Sequence, residues 1–128
     1  MTLLLDTHTF LWFITNDPRL STRAQTLIQA PTNQRLFSIV SVWEMAIKIS
    51  LGKLTVAQPL DQFLRQQLSL NHVALLEIKL GHALAVAALP FHHRDPFDRL
   101  LVAQCQAENL PIVSQDSAFD AYSLQRLW

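Results

Sequence analysis

Residues 89–105 read LPFHHRDPFDRLLVAQC, in which two histidines, two aspartates and two arginines precede or open the most apolar helical pattern of the chain. Asp95 followed by Pro96 predicts a helix N-cap with proline at the first helical position. Asp98 then lies in the first helical turn, where the helix dipole favours a carboxylate. Capping explains both aspartates as well as chemistry does, so the other segments must decide between the two interpretations.

The composition predicts one compact domain that covers residues 1–128. Half of the residues are hydrophobic and only two are glycine, which excludes disordered, collagen-like and Gly/Ser-linker sequences. Cys105 is the only cysteine, which excludes an internal disulfide and a cysteine-based zinc site.

Ten acidic and ten basic residues balance to a formal net charge of zero. The chain as a whole therefore has no charge that would attract nucleic acid or a membrane surface, and an anionic partner must be held by a local patch or by a metal ion. The apolar runs are too short for a signal peptide or a membrane span. We expect a cytoplasmic protein without membrane contact.

Short apolar runs alternate with helical patterns along the chain. Strands are predicted at residues 3–5, 36–40, 73–78 and 111–114, with a final edge strand at 124–128. Helices are predicted at residues 7–15, 21–30, 41–51, 60–68, 80–89 and 96–108. This alternation predicts an α/β fold with a parallel sheet covered by helices on both faces.

The helix predicted at residues 41–51 carries a polar stripe formed by Ser41, Glu44 and Lys48. Ser41 and Glu44 fit a capping box, and Glu44 with Lys48 fits a helical ion pair. These structural roles explain Glu44 as well as a role in chemistry does.

Acidic residues occur near the carboxyl ends of the predicted strands. Asp6 and Asp116 come just after two strands, Glu44 lies one turn beyond another, and Asp98 opens the helix that precedes the fourth. Ligands of open parallel sheets bind at these ends, where the strand order reverses, so we expect one shared acidic site. Crowded carboxylates need a cation, and oxygen ligands favour Mg²⁺ or Mn²⁺. The expected chemistry is metal-assisted hydrolysis of a phosphodiester.

Four segments in this order resemble the PIN-domain family, and within it the VapC-type toxins of bacterial toxin–antitoxin pairs. They are LLDTHTFLW at residues 4–12, SVWE at 41–44, HHRDPFDRLL at 92–101 and VSQD at 113–116. The resemblance covers essentially the whole chain. It implies an α/β/α sandwich with a central parallel five-stranded sheet and a Mg²⁺-dependent endoribonuclease toxin, with Mn²⁺ as a possible substitute. It also implies a cognate antitoxin that neutralises the toxin, a homodimer, and contact with DNA only through the antitoxin.

By the same resemblance, the family's acidic quartet falls on Asp6, Glu44, Asp98 and Asp116. Asp6 and Asp98 would be the principal metal ligands, Asp116 would complete the cation site directly or through water, and Glu44 would orient water or a second ion. Ser114 would hydrogen-bond one of the carboxylates, and Asp95 lies outside the quartet.

Several basic residues near the quartet have two interpretations. Lys48, Arg94 and Arg99 are candidates for holding phosphates or are solvated charges at the rim. His92 and His93 could touch RNA or a metal, although packing of the loop against the helix start is favoured. His8 is expected to point away from the site.

A second hypothesis is a weakly catalytic or non-catalytic PIN-like binding protein. It would act through complex formation with an antitoxin and through DNA-bound repression. Four repelling carboxylates in one site favour the enzyme, since a purely structural domain has no need to keep them together. The sequence leaves the RNA that is cleaved, and the number of metal ions, open.

Overall fold

The computed structural model describes all 128 residues and contains one five-stranded sheet in which every neighbouring pair of strands is parallel. The strands are β1 (Thr2–Leu5), β2 (Gln34–Ser38), β3 (Val73–Leu76), β4 (Ile112–Val113) and β5 (Arg126–Leu127). Their order across the sheet is β3-β2-β1-β4-β5. The predicted parallel five-stranded sheet is confirmed.

Six α-helices cover the sheet. They are α1 (Thr7–Ile14), α2 (Thr22–Gln29), α3 (Ile39–Ser50), α4 (Leu60–Leu70), α5 (Leu80–Ala85) and α6 (Pro96–Glu108). Two short 3-10 turns complete the chain: Val86–Ala88 replaces the end of the helix predicted at residues 80–89, and Ser117–Ala121 lies between β4 and β5. None of the helices combines the length and the apolar character that crossing a membrane requires.

Alternate residues of β1 divide the core into two layers. Leu3 and Leu5 face a cluster that contains Phe10 of α1, while Leu4 faces a cluster that contains Leu101 of α6. All three leucines are fully buried, as expected for a central strand that is covered on both faces. The predicted α/β/α sandwich is confirmed.

The strand order reverses at β1. The chain runs from β1 to β2 and β3 on one side, and then returns to place β4 and β5 on the other side. A crevice therefore opens between the carboxyl ends of β1 and β4, which is where open parallel sheets bind their ligands. Asp6 directly follows β1, and Ser114 directly follows β4.

The start of α3 differs from the prediction. The helix begins at Ile39 rather than at residue 41, and its N-cap is Ser38, whose hydroxyl accepts a hydrogen bond from the backbone N–H of Val40 at 3.0 Å. The same hydroxyl donates to Oε1 of Gln104 on α6 at 2.6 Å. The predicted capping box of Ser41 with Glu44 is therefore wrong. Ser41 is fully buried and its hydroxyl has no hydrogen-bond partner.

The start of α6 matches the prediction. The Asp95 carboxylate accepts hydrogen bonds from the backbone N–H groups of Phe97 at 2.8 Å and Asp98 at 3.3 Å, and Pro96 occupies the first turn. The cap places Asp98 in the first turn of α6, at the crevice between β1 and β4.

Ser38 and Ser41 form a matched pair for a stability test, since both are fully buried serines near the start of the same helix. Ser38→Ala removes a helix cap and a partner of Gln104, so we expect it to lower the free energy of unfolding by about 1–2 kcal/mol. Ser41→Ala removes a buried hydroxyl without a partner, so it should be neutral or stabilising. Urea unfolding of both variants measures the difference, and an equal loss for both would contradict the assigned cap.

Candidate active site

A cavity of about 290 Å³ opens at the crevice between β1 and β4. The four acidic residues singled out from the sequence all line it. Its complete lining is Asp6, Thr7, His8, Glu44, Lys48, Asp95, Asp98 and Asp116. The fold thus brings together carboxylates from residues 6–44 and from residues 95–116.

Asp6 is held by the start of α1. Its Oδ1 accepts a hydrogen bond from the backbone N–H of Thr9 at 2.8 Å, and the residue is 8 % exposed. Burial raises the pKa of the Asp6 carboxyl, and hydrogen bonds from Ser114 and Thr9 oppose part of that rise. A buried carboxylate of this kind gains strongly from a cation placed beside it.

Glu44 projects from α3 and has both carboxylate oxygens engaged. Oε1 accepts from the Thr7 hydroxyl at 2.6 Å, and Oε2 pairs with Nζ of Lys48 at 2.7 Å. The helical ion pair predicted from the sequence is confirmed. Because Thr7 follows Asp6 directly, this contact joins the start of α1 to α3 inside the site.

Asp98 lies among the other acidic side chains of the cavity. Burial and the negative charges of Asp95, Glu44, Asp6 and Asp116 together raise its pKa to about 7. Its side chain is 27 % exposed, so part of the carboxylate faces the cavity. Four neighbouring carboxyl groups that act on one aspartate indicate a site built for a positive ligand.

Asp116 is tied to a histidine. Its Oδ2 lies 2.9 Å from Nε2 of His93, while its Oδ1 caps the following 3-10 turn by accepting from the Ala118 N–H at 3.0 Å. Burial alone would raise the pKa of Asp116, but the Ala118 and His93 hydrogen bonds and the His93 and Arg126 charges outweigh it and lower the pKa. Asp116 therefore stays ionised more readily than Asp98.

His93 is almost completely buried and is packed on one side of the site. Its ring stacks on Tyr122 with the centroids 5.6 Å apart and contacts Phe119 at 4.7 Å. The Tyr122 hydroxyl accepts from the backbone N–H groups of His92 at 3.2 Å and His93 at 3.0 Å. The loop packing favoured from the sequence is present, but the sequence did not single out the contact of His93 with Asp116. The pair of histidines directly before the helix cap was the available signal.

The other residues proposed from the sequence lie in different places. Ser114 is fully buried, and its hydroxyl accepts from the backbone N–H of Asp116 at 3.0 Å. Arg94 is exposed and forms no ion pair. His8 lines the acidic cavity, so the expectation that it points elsewhere is wrong.

Arg99 is not available for phosphate. It is 6 % exposed, and its guanidinium donates to the backbone carbonyls of Pro90, Val86 and Leu89 at 2.9–3.2 Å. The ring of Phe91 also covers the guanidinium at 4.0 Å. These hydrogen bonds attach the loop before α6 to that helix. They also compensate the cost of burying the Arg99 charge. This corrects its assignment as a phosphate ligand.

The family model of the PIN domain matches residues 3–124. The chain belongs to the PIN domain family. PIN domains are generally nucleases, which agrees with an acidic cavity at the switch point of the sheet. A comparison with curated proteins gives no match.

Solved structures of similar fold come from bacterial toxin–antitoxin complexes. VapBC2 from Rickettsia felis, bound to a DNA fragment from its promoter, has a TM-score of 0.73 at 16% identity, covering 99% of this chain and 98% of that one. VapBC-1 from nontypeable Haemophilus influenzae has a TM-score of 0.66 at 19% identity, with coverage of 99% and 97%. A toxin–antitoxin complex from Klebsiella pneumoniae has a TM-score of 0.66 at 17% identity, with coverage of 98% and 96%. At these identities the likeness concerns the fold.

The donor set of this PIN domain fits a divalent metal ion. Ligand atoms of His93, Asp98 and Asp116 lie within 4.8 Å of one another, and Asp6 lines the same cavity as the two aspartates. Carboxylate oxygens suit a hard cation such as Mg²⁺ or Mn²⁺, while Nε2 of His93 is hydrogen-bonded to Asp116 and holds that carboxylate from outside. The raised pKa of Asp98 agrees with this fit, because a bound cation would stabilise the ionised carboxylate.

The raised pKa of Asp98 predicts how the stability of the metal-free protein depends on pH. Between the ordinary carboxyl pKa of 3.8 and about 7, the folded state retains a proton on Asp98 that the unfolded state has lost. The free energy of unfolding should therefore fall as the pH rises through this window, and the loss should be complete above pH 7. Asp98→Asn should flatten this slope and stabilise the metal-free protein at pH 8 by on the order of 2 kcal/mol.

Thermal or urea unfolding in the presence of a chelator measures this effect. The measurements are made at several pH values from 5 to 8, a range that includes the raised pKa of Asp98. Asp61→Asn is the matched control, because Asp61 is exposed and pairs only with Arg65 on the surface of α4. A slope that persists unchanged in Asp98→Asn would contradict the assigned electrostatic stress.

Proposed function

We propose that this chain is a VapC-type toxin, a metal-dependent endoribonuclease that hydrolyses RNA phosphodiester bonds and is neutralised by a cognate antitoxin. The observation that carries the proposal is the electrostatic state of Asp98, whose pKa is raised to about 7 by burial and by four surrounding carboxyl groups. Such an arrangement costs stability in the absence of a cation, so it has a reason only if a cation binds.

We assign Asp6, Asp98 and Asp116 as the residues that would hold Mg²⁺, or Mn²⁺ in its place. A bound ion of this kind supplies charge neutralisation at a phosphodiester and lowers the pKa of water. Glu44 is suited to orient a water molecule, because Thr7 and Lys48 restrict its carboxylate to one position. Ser114 supports the site through a hydrogen bond to the Asp6 carboxyl and by accepting from the backbone N–H of Asp116.

Two cations lie where they can meet the phosphates of a substrate. Lys48 lines the acidic cavity while its side chain stays 37% exposed, and Arg94 is exposed in the loop before α6. Arg94 can contact a phosphate without giving up an ion pair, whereas Lys48 would contact it while remaining paired with the buried Glu44. Arg99 is left out of this set because backbone carbonyls occupy its guanidinium.

The partners in the proposal follow from the complexes that share this fold. The similar structures are toxin–antitoxin complexes, and the one from Rickettsia felis is bound to promoter DNA. For this chain we propose an antitoxin partner, contact with DNA only through that antitoxin, a homodimer, and a cytoplasmic location where RNA is available. Residues 1–128 would form a single PIN domain.

The alternative function is a binding protein with weak or no catalysis, which would act through the antitoxin and DNA-bound repression. The promoter-bound complex from Rickettsia felis is the observation that favours it. RNA cleavage by the purified chain separates the two functions, because a non-catalytic protein would show none.

Substitution of the buried carboxylates provides the direct test. Purified protein with Mg²⁺ or Mn²⁺ should cleave RNA, and Asp6→Asn and Asp98→Asn should each lower the rate by roughly a hundredfold or more. Asp95→Ser should keep most of the activity, since a serine also caps a helix. Release of a fluorescent RNA fragment measures the rate, with Asp61→Asn as the surface control.

Equal rates in the wild type and in Asp98→Asn would point to a contaminating nuclease and would overturn the proposed activity. A loss in Asp95→Ser as large as that in Asp98→Asn would show that the cap residue is itself a ligand.

His93 provides a second test, because it holds Asp116 from outside the acidic quartet. Outer partners of metal ligands are typically worth about 10–100-fold in metal affinity, so His93→Ala should weaken Mn²⁺ binding by that amount. His93→Gln keeps an N–H donor and should recover part of the affinity. Titration calorimetry with Mn²⁺ measures the change, with His92→Ala as the control. Unchanged affinity in His93→Ala would show that Asp116 does not need this contact.

A further inference from the structure

A second cavity of about 510 Å³ adjoins the acidic one and shares Thr7, His8 and Lys48 with it. We call it the aromatic groove, and its walls combine flat and apolar side chains with hydroxyls and cations. Its lining includes His8, Trp12, Arg19, Lys53, Thr55 and Phe63. Because three residues line both cavities, a ligand can occupy the groove and the acidic cavity at the same time.

Flat groups are arranged around Trp12. The His8 and Trp12 rings lie with their centroids 5.7 Å apart and are tilted by 39°. The guanidinium of Arg19 covers the Trp12 ring at 4.9 Å from its centroid and is held in place by the Asp17 carboxylate at 2.8 Å. The Trp128 ring contacts Trp12 edge-on with the centroids 6.0 Å apart. The result is a preformed cluster of tilted rings, in which one planar cation covers Trp12.

The cations of the groove are suited to an anionic ligand. Lys53 forms no ion pair, and Lys48 stands at the junction of the two cavities. Arg19 keeps 65% of its side chain exposed even while it is paired with Asp17. A ligand in this groove therefore meets flat apolar surfaces, the Arg19–Asp17 pair and the cation of Lys53 within one cavity, and the carboxylate cluster in the next.

From this juxtaposition we propose that the aromatic groove binds an unpaired base of single-stranded RNA, stacked on the His8, Trp12 and Arg19 group next to the bond to be cleaved. This inference rests on the proposed ribonuclease function and adds to it a base-binding subsite formed by residues outside the acidic quartet. Single-stranded RNA alternates bases with phosphates, which matches the order of an aromatic surface, a cation and an acidic cavity. Bases in single strands are commonly recognised by stacking on aromatic rings and guanidinium planes.

The test compares two RNA-like probes that carry the same charge. One is a fluorescein-labelled polyadenosine oligonucleotide, and the other is an abasic oligonucleotide of the same length. Their dissociation constants are measured by fluorescence anisotropy with Mg²⁺ in the Asp98→Asn background, which prevents cleavage. The protein should bind the base-bearing probe on the order of tenfold or more tightly than the abasic probe.

Trp12→Ala in this background should bring the ratio of the two dissociation constants close to one and leave the affinity for the abasic probe unchanged. Trp12→Phe should retain part of the ratio. His8→Ala should lower the ratio less than Trp12→Ala, and its exposed position protects the test against loss of folding. Trp43→Ala is the control, because Trp43 is an exposed tryptophan that pairs with Phe97 outside the groove.

A ratio that is unchanged in both Trp12→Ala and His8→Ala, together with RNA cleavage by the wild type, would overturn this inference and leave the proposed function intact. No cleavage by the wild type and no preference for the base-bearing probe would overturn both. Retained RNA binding in Trp12→Ala with weakened binding of a neutralising protein would assign the groove to that protein and also overturn the inference.

Discussion

Mutual repulsion among the carboxylates at the carboxyl ends of β1 and β4 is the constraint to which the surrounding structure responds. Asp98 feels the charges of Asp95, Glu44, Asp6 and Asp116 in addition to its own burial. Charges so close together in a partly dehydrated cavity destabilise the fold unless a cation or a set of donors balances them. The donors that the chain supplies hold Asp6, Glu44 and Asp116 in place, but burial still raises the pKa of Asp6. Asp6 and Asp98 are therefore the carboxyl groups that would gain from a positive partner.

Hydrogen bonds from neighbouring groups hold Asp6, Glu44 and Asp116 in place. The start of α1 holds Asp6 through the Thr9 N–H, and Thr7 with Lys48 holds Glu44. His93 holds Asp116, and that histidine depends in turn on Tyr122 and on the loop that Arg99 ties to α6. Three of the four carboxylates are therefore already held in place by hydrogen bonds before any ligand binds. Such preorganisation is what an electrostatic mechanism needs, since no reorganisation is left for the moment of reaction.

The sequence was informative where the signal is local and failed where a contact is distant. Asp95 with Pro96 correctly predicted the start of α6, because an N-cap depends only on neighbouring residues. The same reasoning chose Ser41 instead of Ser38 for α3. Both serines fit a cap locally, and Ser38 is selected by Gln104, which is distant in sequence. Arg99 and His8 were misplaced for the same reason, since the loop before α6 and the neighbouring cavities decide where their side chains lie.

The sequence by itself determined the α/β class, the parallel sheet and the candidates for an acidic site, because apolar periodicity and the position of acidic residues after strands are properties of short segments. Only the tertiary structure decided which side chains meet. It brought His93 to Asp116 across 23 positions and Thr7 to Glu44 across 37. It also placed His8 and Trp12 in a groove beside the carboxylates. These contacts depend on the order of strands across the sheet and on burial, which no single segment of the chain encodes.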